Sequence, residues 1–393
     1  TIAGCLLGHL VLGCANLQYD STATTFDRPL HGDEDSIADI WFKTSYIYPI
    51  RDYLTFTWLG RALCGDEAWN VTPDGGVADG PFLVNRDIAA VSAEQAHLGP
   101  AVEPPPVGPW RVVKPKPQGS TPGFIGQDAG GRTFIVKLDH PDYPELGTSA
   151  EMIGSRLTWL LGYHVPAVYL VTIEGTGDWR YDGRRATASP LVPGRIIGRW
   201  KFDGYRMRRE LRALRLVAEW LNDPDRVDNN TLAAERDGRT VCYLIDFNSC
   251  LGSWNARPKE AWRGWRHAWD LEYQLLGLLT LGWLPRIPSE VEVPSRAVGA
   301  LSADDAPLDF WKPQNPNTAF DRLTRADAAW MARRMAAVSV EQLRSIVASA
   351  RFSRVEDAEY VLRALLYRRE RILSKWGVPA GPSHVLDQSR PRS

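Results

Sequence analysis

The sequence predicts an α+β chain in two lobes, a small β-rich N-terminal lobe carrying one key helix and a larger, mostly helical C-terminal lobe. Three features lead there. Between residues 110 and 192 short apolar runs alternate with Gly- and Pro-rich turns, and one helical pattern interrupts them. From residue 206 to 376 apolar residues recur mostly at helical spacing. The third is size, because 393 residues at 44% hydrophobic content are enough for two cores. With a net charge of -1 and no long Lys/Arg run, the chain offers no electrostatic case for a nucleic-acid partner. Sixteen Trp and 28 Pro point to a loop-rich, enzyme-sized body, and no internal period marks a repeat array.

Taken in order, the chain opens on an apolar run, residues 2–12, of signal-peptide length and too short to span a bilayer. It ends Val11-Leu12-Gly13-Cys14, which resembles a bacterial lipobox. Residues 1–14 are therefore expected to be a leader, with Cys14 lipidated and the protein exported and anchored to the cell envelope. Membrane contact is expected only through that lipid. The competing reading is an ordinary buried segment, since no basic n-region precedes the run; the protein would then be cytoplasmic. Of five Cys, three remain once the leader is gone and Cys14 is lipidated, and an odd number argues against a disulfide framework. Cys242 and Cys250 read as small buried hydrophobes. Residues 15–35 form an expected flexible tether, and 36–109 an extension packing on the small lobe, closed by a Pro-rich connector at 100–109.

The small lobe is expected over 110–192. Strands are read at 110–113, 124–128 and 133–139, and the turn K-P-K-P-Q-G-S-T-P-G-F places Gly119, Ser120, Thr121 and Gly123 before Lys137. Glycines let backbone N–H groups approach phosphates, and a strand lysine can reach them, although glycines in turns are more often only turns. Thr148-Ser149-Ala150-Glu151 opens a helix running to Gly162. Glu151 has two open readings: a partner for Lys137, or the last residue of an S/T-x-x-E capping box facing its own helix end. Further strands are read at 165–173 and 185–192, with a hinge at 190–194. The large lobe, 193–376, begins with an amphipathic helix at 206–221. A Trp- and Arg-rich segment, 252–269, is followed by helices at 271–281, 325–337, 340–350 and 355–376, and the tail 377–393 is expected to be disordered.

The centre of the chain is the stretch from Trp220 to Gly252. A helix ends at Leu221, the loop N-D-P-D-R-V-D-N-N-T-L follows, and after a short charged turn an apolar strand at 241–245 delivers Asp246-Phe247-Asn248. Asp225 and Asn230 stand in a D-x-x-x-x-N relation. Asp and Asn also make ordinary turns, so the pair alone is weak; the ordered set of helix, loop, strand, Asp-Phe and upstream Lys and Glu is what carries it.

This set resembles the active centre of the atypical protein-kinase-like superfamily, closer to HipA-type and phosphoinositide-kinase-like enzymes than to those with His-Arg-Asp. From 110 to 376 the chain also resembles a family of uncharacterised bacterial exported proteins and lipoproteins. The shared features are G-x-T-P-G-F, V-K-[LF]-D, P-E-x-x-[TS]-x-A-E, R-R-E-L-R, D-F-x-S-x-L-G-S and W-K-P-x-x-P-N-x-A-F. The kinase-like resemblance implies a two-lobed kinase-like fold using ATP and Mg²⁺ (or Mn²⁺). It implies that Asp225 orients the acceptor, that Asn230 and Asp246 bind metal, and that Lys137, positioned by Glu151, holds phosphates together with Gly119, Ser120, Thr121 and Gly123. No His precedes Asp225, and Asn248 stands where Gly is usual, a mild change because Asn tolerates left-handed backbone.

Three functions compete. The first is an ATP- and Mg²⁺-dependent phosphotransferase of unknown acceptor, or an enzyme transferring another part of the nucleotide. The second is a catalytically inactive binding or scaffold lipoprotein of the envelope, where ATP is scarce. The third is a hydrolase using Asp223, Asp225 and Asp228 as paired carboxylates. Ser-His-Asp catalysis lacks its G-x-S-x-G, and the seven His are scattered.

Overall fold

The computed structural model describes residues 37–54, 66–116, 121–268, 270–282, 292–301 and 311–379. The expected lipobox with Cys14 and the expected tether, as well as Gly119 and Ser120 and the tail from 380 onward, lie outside the described residues. Among the described residues no helix is long and apolar enough to cross a membrane.

Ahead of the sheet, α1 (Ile37–Phe42), a π-helical turn (Lys43–Ile47) and α2 (Tyr48–Leu54) follow one another, and α3 (Ala93–Leu98) starts from a capping box between Ser92 and Gln95. This extension touches both lobes rather than the small one alone. Arg51 pairs with Asp203 at 2.7 Å, the Trp69 and Cys242 amides bond to the Met207 and Pro81 carbonyls at 3.0 and 2.8 Å, and Gln342 Nε2 donates to the Ile88 carbonyl at 2.7 Å.

Five strands, β1 (Arg111–Pro115), β2 (Gly123–Gln127), β3 (Thr133–Leu138), β4 (Tyr169–Thr172) and β5 (Arg185–Pro190), form an antiparallel sheet ordered β1-β2-β3-β5-β4. Alternation along β3 decides its faces. Phe134, Val136 and Leu138 enter a small core with Trp110, Phe124, Tyr169, Ile173, Ala186 and Ala188, while Thr133, Ile135 and Lys137 take the other face. Trp110 and Tyr169 meet Phe134 edge-on at 5.7 and 6.4 Å between ring centroids. Gly123 lies opposite Lys137, and a Cβ there would come within 2.0 Å of the Val136 carbonyl oxygen.

Between β3 and β4 runs α4 (Leu146–Leu160), whose residues are buried all round except Trp159. It starts before Thr148, with Glu145 as its N-cap in left-handed backbone (φ 72). Its free amides are served from outside: Asp139, just past β3, accepts from the Glu145 amide at 2.9 Å, the Thr148 amide at 2.8 Å and the Thr148 hydroxyl at 2.7 Å. The S/T-x-x-E capping box therefore does not form.

The large lobe contains β6 (Arg195–Gly198), α5 (Arg209–Leu221), β7 (Thr231–Arg236), β8 (Arg239–Leu244), the short pair β9 (Ser253–Trp254) and β10 (Arg257–Pro258), and helices α6 (Leu271–Leu279), α7 (Arg325–Ala336), α8 (Val340–Ala348) and α9 (Val355–Lys375). Where the sequence reads as a short charged turn, β7 pairs with β8 from Thr231↔Leu244 to Arg236↔Arg239, and β6 lies on its other side. Ala and Glu have weak strand preference, and pairing on both sides decides the matter. Leu211, Leu214, Val217 and Trp220 of α5 share the larger core with Met331, Ile346, Leu365 and Ile372. Ile153, Leu157 and Leu160 of α4 join that core too. Arg209 and Arg212 tie α5 to Asp327 of α7 at 2.9 and 3.5 Å.

Because Asp139 holds the start of α4 through three hydrogen bonds, Asp139→Ala is expected to cost about 1–3 kcal/mol of stability. Urea unfolding measures this; a change within about 0.5 kcal/mol would mean the helix start does not depend on Asp139.

Candidate active site

Lys137, Glu151 and Asp246 converge where β3 and α4 of the small lobe meet the D-F-N triplet of the large one. The Lys137 ammonium lies 3.0 Å from Glu151 Oε2 and 3.0 Å from Asp246 Oδ1. The same Glu151 oxygen accepts the Phe247 amide at 3.0 Å, so the α4 carboxylate grips strand and triplet together. One turn along α4, Gly154 makes room for Phe247: a Cβ there would sit 3.0 Å from the Phe247 Cβ. The left-handed residue of the triplet is Asp246 (φ 59), while Asn248 is not left-handed. Asn248 instead donates its side-chain amide to Thr121 Oγ1 at 2.5 Å, so Thr121 is buried and engaged by the triplet. Thr121 and Gly123 thus have structural duties of their own.

The loop below is pinned at both ends. Asn222 ends α5 in left-handed backbone (φ 48), and the Asp223 amide bonds back to the Ala218 carbonyl at 2.7 Å. One Asp223 oxygen accepts the Asp225 amide at 3.2 Å; the other pairs with Arg226 Nε at 2.6 Å. Arg226 is buried, donates to the Ile245 carbonyl at 2.9 Å and to the Asp246 carbonyl, and lies 4.5 Å from the centre of the Phe247 ring. Asn230 donates its side-chain amide to the Asp225 carbonyl at 2.7 Å, and its own carbonyl accepts the Ile245 amide at 3.0 Å. Asp225, Asn230 and Asp246 are thereby brought together. Asp223 is spent on Arg226 and Asp228 on the Phe202 amide (2.9 Å), so the three aspartates do not form a set of free carboxylates.

Arg226 has a structural role that sequence reasoning missed, and so does the W-K-P-Q-N-P-N-T-A-F loop. Trp311 Nε1 donates to Asn222 Oδ1 at 3.3 Å, the Gln314 amide to the Pro224 carbonyl at 2.7 Å, and Asn317 Nδ2 to the Arg226 carbonyl at 2.9 Å. Its motif was visible, but nothing local says that it cradles a loop about 90 positions earlier.

Charge in the cleft is uneven. Burial, then the negative charges of Asp223 and Asp246, push the half-buried Asp225 carboxyl up to about 7. Burial would lower the Lys137 pKa, but Asp246 and Glu151 outweigh it and hold the ammonium charged. At Asp246, burial is outweighed by Lys137, Lys116 and Arg226, which keep it below the usual carboxylate range. At Glu151, burial wins and raises the pKa.

Among the described residues no group of three or more His, Cys, Asp or Glu could hold a metal. The cleft instead offers one carboxylate, Asp246, and the Asn230 amide oxygen, whose nitrogen is committed to Asp225. Two hard oxygen donors fit Mg²⁺ or Mn²⁺, which completes its shell with phosphate and water oxygens.

No family model matches this chain, and no curated protein does. Among solved structures it is similar to the proinflammatory kinase CtkA of Helicobacter pylori, at 11% identity and a TM-score of 0.42, covering 69% of this chain and 97% of that one. It is also similar to HipA of Shewanella oneidensis MR-1, from a toxin–antitoxin complex with HipB and operator DNA, at 12% identity and a TM-score of 0.34, covering 77% of this chain and 75% of that one.

The Asp225 carboxyl has a sign-defined consequence. Its folded pKa of about 7 exceeds the unfolded value of about 3.9. In that window the folded state binds more protons, so stability falls as pH rises. Without nucleotide or divalent cation, the melting midpoint of Asp225→Asn relative to wild type is expected to climb from about pH 4 to about pH 7 and to level off above that. A constant offset would rule out a raised Asp225.

Proposed function

We propose that this chain is an ATP-dependent phosphotransferase working with Mg²⁺ or Mn²⁺. The observation that carries the reading is the Lys137 ammonium held 3.0 Å from both Glu151 and Asp246. Kinase-like chemistry requires a strand lysine paired with a helix glutamate, beside the aspartate that holds metal.

Each residue then has a task. Glu151 keeps Lys137 aimed into the cleft, where its charge would hold the donor phosphates. Asp225, with a pKa of about 7, is basic enough to take the proton of an acceptor hydroxyl near neutral pH. The Asn230 amide nitrogen fixes the Asp225 backbone by its 2.7 Å hydrogen bond. Asp246 and Asn230 would hold the cation, which when bound supplies positive charge to the phosphate oxygens. Arg226 holds the loop against the triplet. The V-L-G-C ending at Cys14 supports a lipid anchor at the cell envelope.

ATP with Mg²⁺ or Mn²⁺ is expected to raise the melting temperature of the wild type, and Lys137→Met to abolish most of the shift. Asp225→Asn is expected to keep the shift and lose label transfer by about 10²–10⁴-fold. Label is expected to move from γ-³²P-ATP; movement from α-³²P-ATP instead would indicate nucleotidyl transfer. Absence of a shift in either metal would sink the reading in favour of a non-nucleotide binding protein.

A further inference from the structure

The sheet face that presents Lys137 carries two further lysines, Lys114 and Lys116, of which Lys116 falls in the row of Lys137. Lys114 lies opposite Ile125 and Pro115 opposite Phe124, and the Lys116 amide continues the ladder with a 3.2 Å bond to the Gly123 carbonyl. Gly123 in turn lies opposite Lys137. Residues directly opposite each other across a sheet share a face, so Lys116, Gly123 and Lys137 form one row across three strands. Their terminal members are two strand spacings apart, about 9–10 Å between Cα atoms. The middle member has no side chain, so nothing in the row separates the two lysine side chains.

The two lysines differ in what balances them. Lys137 has two carboxylates at 3.0 Å. Lys116 is half-buried, whereas Lys114 on the same strand is exposed. Among the described residues no carboxylate lies within 4.0 Å of the Lys116 ammonium, and Asp246 and Glu151 act on it only from farther away. Burial and the Lys137 charge lower its pKa. A half-buried cation without a contact partner is costly unless an anion reaches it.

We infer that Lys116 is a phosphate-binding residue, gripping the polyphosphate of the donor from the β1 side of the cleft while Lys137 grips it from β3. The inference rests on the phosphotransferase reading and adds a residue to it. Two ammonium groups and the cation at Asp246 and Asn230 suit a chain of several phosphates rather than one, so the site favours a nucleoside triphosphate over a monophosphate. Lys, as a point charge on a flexible stem, can follow phosphates without a fixed fork.

The test is ATP binding by the full chain with Mg²⁺, read by thermal shift and by displacement of a fluorescent ATP analogue. Lys116→Met is expected to weaken ATP and inorganic tripolyphosphate about 10- to 100-fold, the loss of a hydrogen bond to a charged group. It should leave adenosine nearly unchanged; Lys116→Arg should retain most of the affinity and Lys114→Met all of it. Ligand-free melting is read first, and Lys116→Gln replaces Lys116→Met if the latter melts several degrees lower. Wild type that ignores ATP ends the phosphotransferase reading itself. Wild type that binds ATP while Lys116→Met and Lys116→Gln bind it equally well overturns only the role of Lys116, as does an equal loss for adenosine.

Discussion

One buried carboxylate organises this molecule. Glu151 holds the Lys137 ammonium and the Phe247 amide with a single oxygen, each at 3.0 Å. Strand β3, helix α4 and the D-F-N triplet therefore meet at one atom. The surroundings are shaped to allow it: Asp139 sets where α4 begins, and Gly154 lets Phe247 lie against the helix. Removing either ion-pair partner would leave an uncompensated buried charge, which typically costs about 3–5 kcal/mol. The cluster therefore fixes one arrangement of the lobes more than it adds net stability.

A second clamp works from beneath. Arg226 stands next to Asp225 in sequence but turns away from the cleft, to Asp223, the carbonyls of Ile245 and Asp246, and the Phe247 ring. Five donors in a planar fork suit such simultaneous contacts, and lysine could not make them. The loop backbone is also bonded from Gln314 and Asn317. With its backbone held this tightly, Asp225 keeps an unfavourable place beside Asp223 and Asp246. Like charges stored next to one another are a mark of functional sites.

Much of this was legible in the sequence, and the reasons differ by feature. The strands were readable because short apolar runs such as Phe134-Ile135-Val136 lie between Gly- and Pro-rich turns; α5 and α7–α9 were readable from helical periodicity. Lys137, Asp225, Asn230 and Asp246 stood out because their spacing is tied to local elements. What escaped depends on pairing across the fold. Strand β7 exists because two neighbours bond to it, not because of its residues. Helix α4 starts early because the Asp139 carboxylate, just past β3, reaches the amides at its start. Asn248 looked like a left-handed substitute for glycine, yet Asp246 takes that backbone and Asn248 bonds to Thr121. Lys116 was hidden in a K-P-K-P run whose two lysines look alike until strand register and burial separate them.

The arrangement also couples the two ends of the site. Part of what raises Asp225 is the negative charge on Asp246, so any cation that settles on Asp246 makes the Asp225 proton easier to release. By reciprocity, an ionised Asp225 strengthens the hold on that cation. Lys137 spends one of its contacts on Asp246 Oδ1 and another on Glu151. If its first contact is exchanged for a phosphate, Glu151 still holds both the lysine and the Phe247 amide. The triplet then stays in place while Asp246 changes partners. If the proposed cation binds here with the nucleotide, its charge would lower the Asp225 pKa through the low-dielectric interior, by the same electrostatics that now raise it.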